Sequence, residues 1–141
     1  MNHLYTKLFL RVAVAAGFLS AVADRFGLWS ENISAWGNWE NFEGYTHSLL
    51  PFLPETVIPF FAWTATLAEI VFGILLLIGL KTQLVAKLSG VLLILFALAM
   101  TISLGIKAPL DYSVLPASAA AFAISVIKGK YLELDMLLNK N

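Results

Sequence analysis

Two charged residues lie inside hydrophobic segments of the chain, where a charge needs a specific reason. Arg11 falls in an apolar run that begins at Leu4, and Glu69 lies near the middle of a later run. Placing an ionisable group at membrane depth costs about 2.5–3.5 kcal/mol on insertion scales, so each one needs a partner or a function. The depths inferred for the two residues differ by roughly 6 Å, which two long side chains can bridge. We therefore predict an intramembrane Arg11–Glu69 ion pair.

Two roles are open for this pair. It could be a structural clamp that fixes how two helices dock, or the polar floor of a pocket or proton-handling site. Ala65 and Gly73 lie one helical turn before and after Glu69, so the acid shares its helix face with small residues. That face is predicted to meet another helix and not lipid.

A second group of polar residues is predicted at the other end of the helices. Arg25 follows Arg11 by fourteen residues and returns to nearly the same helix face, while Asp111 and Tyr112 open a later hydrophobic segment. Together with two tryptophans above them, these residues could bind the polar head of a small amphipathic molecule. The tryptophans of this predicted site are Trp36 and Trp39.

Simpler roles compete for the same residues. Asp111 or Ser113 could act as the N-cap of the last hydrophobic helix, because both types accept hydrogen bonds from helix N–H groups. Asp24 or Arg25 could simply mark the aqueous boundary. Both alternatives stay open from the sequence.

The other residue types exclude several kinds of chemistry. The chain has no cysteine, which removes disulfides, thiol relays, iron–sulfur clusters and zinc–thiolate sites. His3 and His47 are predicted on opposite sides of the membrane, so they cannot clasp one haem, and no metal site is predicted. No motif indicates nucleophilic catalysis, and catalytic residues stay unassigned. Nine basic residues balance nine acidic ones, which gives no electrostatic footprint for nucleic acid or for an anionic lipid surface.

Hydrophobic segments must position these residues. Of the 141 residues, 60% are hydrophobic and only 13% are charged, whereas a soluble domain has about 25% charged residues. Four segments have the character of membrane helices, and an open sheet would leave backbone groups unpaired in lipid. We predict an all-α, polytopic membrane protein with one domain, 1–141, built as a four-transmembrane-helix bundle. The predicted spans are 4–23, 57–80, 84–106 and 110–127.

The connections between the spans also carry a pattern. In the outer loop 24–56, large apolar residues recur at steps of three or four, which predicts an interfacial amphipathic helix. Such a helix could be a passive anchor or a lid over a binding site. The tail 128–141 is predicted to form a short surface helix over 131–138. The residues of the loop pattern are Trp36, Trp39, Phe42, Tyr45, Leu49 and Phe52.

The distribution of basic residues predicts the orientation. Seven of the nine lie on the side that holds both termini and the connection between the second and third spans, and two lie on the other side. Because basic residues favour the cytoplasmic side, both termini are predicted to be cytoplasmic, in the inner (plasma) membrane. The seven are Lys7, Arg11, Lys81, Lys87, Lys128, Lys130 and Lys140, and the two are Arg25 and Lys107.

Four stretches of the chain resemble the DoxX family of small four-helix membrane proteins. They are LRVAVAAGFLSAVADRFG at 10–27, AWGNWENFEGYT at 35–46, AEIVFGILLLIGLKT at 68–82 and GVLLILFALAMTISLGIKAPLDYSV at 90–114. The most characteristic pattern is an acidic residue, then Gly, then a Leu-rich run into Gly-Leu and a basic turn. Here that pattern is formed by Glu69, Gly73, Gly79, Leu80 and Lys81.

The chain departs from this family at the end of its first helix. The usual Gly followed shortly by Lys is replaced by Ala23-Asp24-Arg25-Phe26-Gly27. The resemblance implies a membrane subunit associated with thiosulfate:quinone oxidoreduction, or a membrane partner in oxidative-stress complexes. It supplies no catalytic residues for this chain.

Three functions fit these observations. The first is a redox accessory that binds a quinone-like molecule between helices, alongside redox partner proteins and not self-sufficient as an enzyme. The second is a non-catalytic scaffold that docks partner proteins at the lipid bilayer. The third is a carrier of a small solute or lipid, which a homo-oligomer would favour.

Single cysteines test the predicted orientation, because the parent chain has none. Glu40→Cys should react with an impermeant thiol reagent added outside intact cells, and Gln83→Cys should react only after permeabilisation. The parent chain is the control for background labelling. The reverse pattern would overturn the orientation.

Overall fold

The computed structural model describes residues 3–138, and all the regular structure in that range is helical. A short 3-10 turn at Glu55–Val57 precedes the third helix. The helices are α1 His3–Arg25, α2 Trp39–Leu49, α3 Ile58–Ile78, α4 Thr82–Leu104, α5 Lys107–Asp111, α6 Val114–Val126 and α7 Asp135–Leu138.

Within residues 3–138, three helices are long and apolar enough to cross a membrane: α1, α3 and α4. They confirm the first three predicted spans, with ends that differ by a few residues. The chain is thus a multi-pass membrane protein. α3 begins with a proline in its first turn and ends at Gly79, whose backbone is left-handed (φ 71°) and whose N–H donates to Leu75 O.

The predicted fourth span, 110–127, is not one helix. Lys107–Asp111 forms the separate short helix α5, and the chain breaks at Ser113, which has a left-handed backbone (φ 56°). The apolar helix α6 that follows has 13 residues, or about 20 Å at the α-helical rise, against roughly 30 Å of hydrocarbon. The bundle therefore contains three helices of spanning length and one shorter apolar helix.

The predicted helix in the loop 24–56 is confirmed as α2, although it is shorter than the aromatic pattern. Asn38 caps it by accepting a hydrogen bond from the Asn41 N–H at 2.8 Å. Trp36 and Phe52 lie outside the helix. The predicted helix over 131–138 is also shorter than expected, because only Asp135–Leu138 is helical.

The core lies where α1, α3, α4 and α6 meet. α1 contacts α3 and α6, and α4 packs mainly on α6. Two glycines permit close approach: a Cβ on Gly73 would come within 2.9 Å of Leu19 of α1, and one on Gly90 within 2.9 Å of the Phe122 ring. The buried apolar residues that pack together in this core are Val14, Ala15, Phe18, Leu76, Val85, Ala86, Leu93, Ala121 and Ile124.

The start of α4 is capped by a residue that is distant in sequence. The side chain of Lys81, at the N-cap position, makes no capping hydrogen bond. Instead the Asp135 carboxylate accepts from the backbone N–H groups of Lys81 at 2.7 Å and Thr82 at 2.9 Å. Burial alone would raise the pKa of Asp135, but these bonds outweigh it and hold the pKa below its ordinary value of 3.8.

Asp135→Ala should destabilise the protein by about 0.5–2 kcal/mol at neutral pH, as the loss of an N-cap does elsewhere. Because the pKa is lower in the folded state, the stabilisation is present above the unfolded pKa and is lost as the pH falls through the folded pKa. Thermal unfolding in detergent, followed from neutral to acid pH, should show parent and variant converging at the acid end. Asp111→Ala, which removes only an exposed ion pair with Lys107, should change little. A gap that stays constant over the pH range contradicts this role.

Candidate functional site

Glu69, near the middle of α3, pairs with Arg25 at the end of α1. The two side chains are only 5% and 3% exposed. The Arg25 Nη1 group also donates to the Thr66 hydroxyl at 2.7 Å, and that hydroxyl donates to Ala62 O. The predicted face containing Glu69 and Gly73 does meet another helix, α1.

The predicted Arg11–Glu69 pair is not formed, because Arg11 lies at a different level of α3. Its Nε donates to Leu76 O at 3.0 Å and its Nη2 to Leu77 O at 3.1 Å. These carbonyls are seven or eight residues beyond Glu69, about 10–12 Å along the helix axis. The prediction assumed that the start of the first span and the end of the second lie at the same depth, whereas Arg11, two turns into α1, already reaches the last carbonyls of α3.

Two aromatic rings lie against the Arg25 guanidinium. Its Cζ lies 3.9 Å from the centre of the Phe42 ring and 5.4 Å from that of Trp36. A cation over a ring face is attracted by the ring quadrupole, and more strongly when water is excluded. Arg25 Nε is buried and has no hydrogen-bond partner among residues 3–138. We call Arg25, Thr66, Glu69, Trp36 and Phe42 the Arg25 cluster.

Asp24 holds the loop that carries Trp36. Its carboxylate accepts hydrogen bonds from the N–H groups of Ala35 at 2.8 Å, Trp36 at 3.1 Å and Gly37 at 3.2 Å, and from the Ser34 hydroxyl. From the sequence, Asp24 was expected only to mark the aqueous boundary. The sequence signal that could have indicated more is an acid that sits directly before a buried arginine.

Trp39 belongs to a neighbouring aromatic stack and not to the Arg25 cluster itself. Its ring lies 4.2 Å from that of Trp63 and 5.9 Å from that of Phe26, both in stacked arrangements. The stack joins α2 to the end of α1 and to the first turns of α3. Trp36 and Trp39 both contact Phe42, which links the stack to the cluster.

Asp111 and Tyr112 do not join Arg25, so the predicted five-residue site is only partly assembled. Asp111 forms an exposed ion pair with Lys107, and Tyr112 is 73% exposed. Burial raises the pKa of the Tyr45 phenol, and the nearby Tyr112 adds to that effect. The alternative of an N-cap is not seen either, since Asp111 ends α5 and the Ser113 side chain makes no capping hydrogen bond to α6.

A second buried charged group lies at the other end of α1. Lys7 pairs with Glu133 at 2.7 Å and donates to Gly129 O at 2.8 Å. The Arg11 guanidinium lies 3.8 Å from the same carboxylate and donates to the carbonyls of Tyr131 and Leu132. We call Lys7, Arg11, Glu133 and the carbonyl groups of Gly129, Tyr131 and Leu132 the Arg11 cluster. A Cβ on Gly79 would lie only 2.5 Å from Arg11 Nη2, so this position needs glycine for space as well as for its backbone angle.

A cleft of about 440 Å³ opens beside α1 close to the Arg25 cluster. Trp29, on its wall, donates its indole N–H to Ser20 O at 3.1 Å. A smaller depression of about 170 Å³, near α2 and the start of α3, contains Glu40, Glu43 and His47. No group of three His, Asp or Glu residues within 3–138 is placed to hold a metal ion. The cleft is lined by Gly17, Ser20, Ala21, Asp24, Trp29, Ile33, Ala35 and Trp36.

Comparison with known proteins identifies the family. Residues 6–105, which contain α1 to α4, match the family model for DoxX. The chain belongs to the DoxX family. Within this DoxX chain, the matched range holds the whole Arg25 cluster, whereas Glu133 and Asp135 lie beyond it. Searches of curated proteins and of solved structures found no match.

A double-mutant cycle can distinguish the observed pair from the predicted one. Arg25→Met and Glu69→Gln should each destabilise the protein by about 3–5 kcal/mol, because each leaves a buried charge or polar group unpaired. The double variant should lose less than the sum of the two, as measured by detergent melting.

The control cycle combines Arg11→Met with Glu69→Gln. These side chains bind different partners, so their losses should add within about 0.5 kcal/mol. Additive losses in the Arg25 cycle together with strong coupling in the Arg11 cycle would restore the original prediction.

Proposed function

We propose that this DoxX-family protein binds a quinone-like amphipathic molecule in the cleft beside α1, as an accessory to a membrane redox partner. The observation that carries the proposal is the cleft itself. It is lined by small side chains of α1, at Gly17, Ser20 and Ala21, together with the indoles of Trp29 and Trp36. A flat ring fits between small and aromatic side chains better than a globular solute does.

The size and exposure of the cleft support a ligand that enters from lipid. Its volume of about 440 Å³ lies in the usual range of small-molecule sites, roughly 300–1,000 Å³. A Cβ placed on Gly17 would have no heavy atom within 4 Å, so the space next to this residue is free. An isoprenoid or alkyl tail could leave the cleft along the exposed, apolar side of α1.

The polar end of the cleft is close to charge. Trp36 lines the cleft and also lies over the Arg25 guanidinium, so a ligand that moved this indole would approach a buried cation. Arg25 Nε is a donor without a partner among the described residues, and a quinone oxygen is an acceptor. In this proposal, the chain's own residues bind and orient the ring, and the quinone supplies the redox chemistry.

The electron donor must come from elsewhere. With no cysteine in 141 residues, the chain has no thiol chemistry of its own, so we assign the supply of electrons to a partner protein. The scaffold hypothesis uses the same surface differently: small residues along a membrane helix also permit another helix to pack closely. A ligand-binding measurement separates the two.

Titration with a short-chain quinone should quench tryptophan emission with a saturable curve, because Trp29 and Trp36 line the cleft. Gly17→Leu fills the free space and should weaken binding at least about tenfold, which is 1.4 kcal/mol. Val71→Leu enlarges an apolar side chain at an exposed position of α3 and should bind like the parent. Tyr112→Phe should also leave binding unchanged, since Tyr112 lies outside the cleft.

Quenching that rises linearly and equally in all variants would indicate partition into detergent and would contradict the proposal. In that case, loss of a co-purified membrane partner in Gly17→Leu would favour the scaffold hypothesis.

A further inference from the structure

The end of the bundle where α1 begins carries four exposed lysines. Two lie at the start of α4 and two lie between α6 and α7. The two regions are close together, because Asp135 contacts the backbone of Lys81 while the Lys130 ammonium reaches the Asp135 carbonyl at 3.3 Å. The four residues are Lys81, Lys87, Lys128 and Lys130.

The acidic residues of the same region are turned inward. Glu133 is 4% exposed and binds Lys7, and the Asp135 carboxylate is directed to the N–H groups that open α4. The remaining acids lie at 24–69 or at Asp111, away from this end of the chain's helices. A chain with a net charge of zero therefore presents an exposed surface whose charges are basic.

Exposed apolar side chains follow Lys128 and Lys130 along the chain. They lie in the non-helical residues 132–134 and in α7, which is too short a helix to bury them. The rings of Tyr5 and Tyr131 meet edge-on at 5.2 Å, and tyrosine favours the level of lipid headgroups. The exposed apolar residues are Leu132, Leu134, Met136, Leu137 and Leu138.

We propose that this surface binds anionic phospholipid in the leaflet that it faces. Lysines next to exposed aliphatic side chains match a lipid interface, since the cations attract phosphate groups and the aliphatic groups enter the acyl boundary. The placement of the two carboxylates makes the match possible, because Glu133 is paired with Lys7 and the Asp135 carboxylate is occupied by the N–H groups of Lys81 and Thr82. The inference is independent of the quinone proposal.

Melting of the purified protein in mixed micelles tests the proposal. Adding phosphatidylglycerol should raise the melting temperature by at least about 3 °C over the same amount of phosphatidylcholine. The variant Lys81→Gln/Lys87→Gln/Lys128→Gln/Lys130→Gln should lose this difference. The exposed Lys107 lies elsewhere, after α4, so Lys107→Gln is the matched control and should keep it.

Each outcome has a defined meaning. A rise that falls with added salt and disappears in the quadruple variant supports the proposal. An equal rise with inorganic phosphate alone would assign the surface to a free anion and overturn the lipid assignment. An equal rise with both lipids, or one that the quadruple variant retains, would also overturn it. Circular dichroism should show unchanged helix content, since all four lysines are exposed.

Discussion

The burial of cations on one helix is the constraint on which the rest of the structure depends. Lys7, Arg11 and Arg25 of α1 are each at most 3% exposed, in a chain that is 60% hydrophobic. Removing a charge from water is unfavourable unless opposite charge and hydrogen-bond acceptors replace the lost solvent. Three different parts of the chain supply those groups. α3 contributes Glu69 and its last carbonyls, α2 and its preceding loop contribute aromatic rings, and the tail contributes Glu133.

The tail completes the bundle where α6 is too short. After Val126 the chain continues without helix, so its carbonyl groups need donors other than its own N–H groups. Lys7 and Arg11 provide them, at Gly129, Tyr131 and Leu132. The non-helical segment is therefore tolerated because side chains of α1 supply donors for its carbonyl groups. In return, it supplies Glu133 as the partner of Lys7 and brings Asp135 to the start of α4.

The two charged clusters are separate. Between Arg11 and Asp24, the buried face of α1 carries only apolar residues, with Val14, Phe18 and Val22 among them. No described polar side chain on that face connects the clusters, so the static arrangement fits two local sites better than a continuous proton path. One end of the bundle has a cleft and aromatic rings, and the other has an exposed basic surface.

The sequence by itself determined the membrane class, three of the helices, the aromatic helix in the loop and the family, because these follow from composition and local periodicity. It also identified Glu69 and Arg11 as residues that need partners, since a charge inside an apolar segment is costly at any alignment of the helices, and it named Arg25 as a candidate binding residue. Only the tertiary structure decided which partner each receives. A shift of about 10 Å in how α1 and α3 align exchanges Arg11 for Arg25 at Glu69, and side-chain spacing along one helix does not fix its alignment with another. For the same reason, the net charge of zero did not indicate the basic surface. Whether Glu133 and Asp135 face solvent depends on where the tail packs. Contacts between residues more than a hundred positions apart leave no local pattern in the sequence.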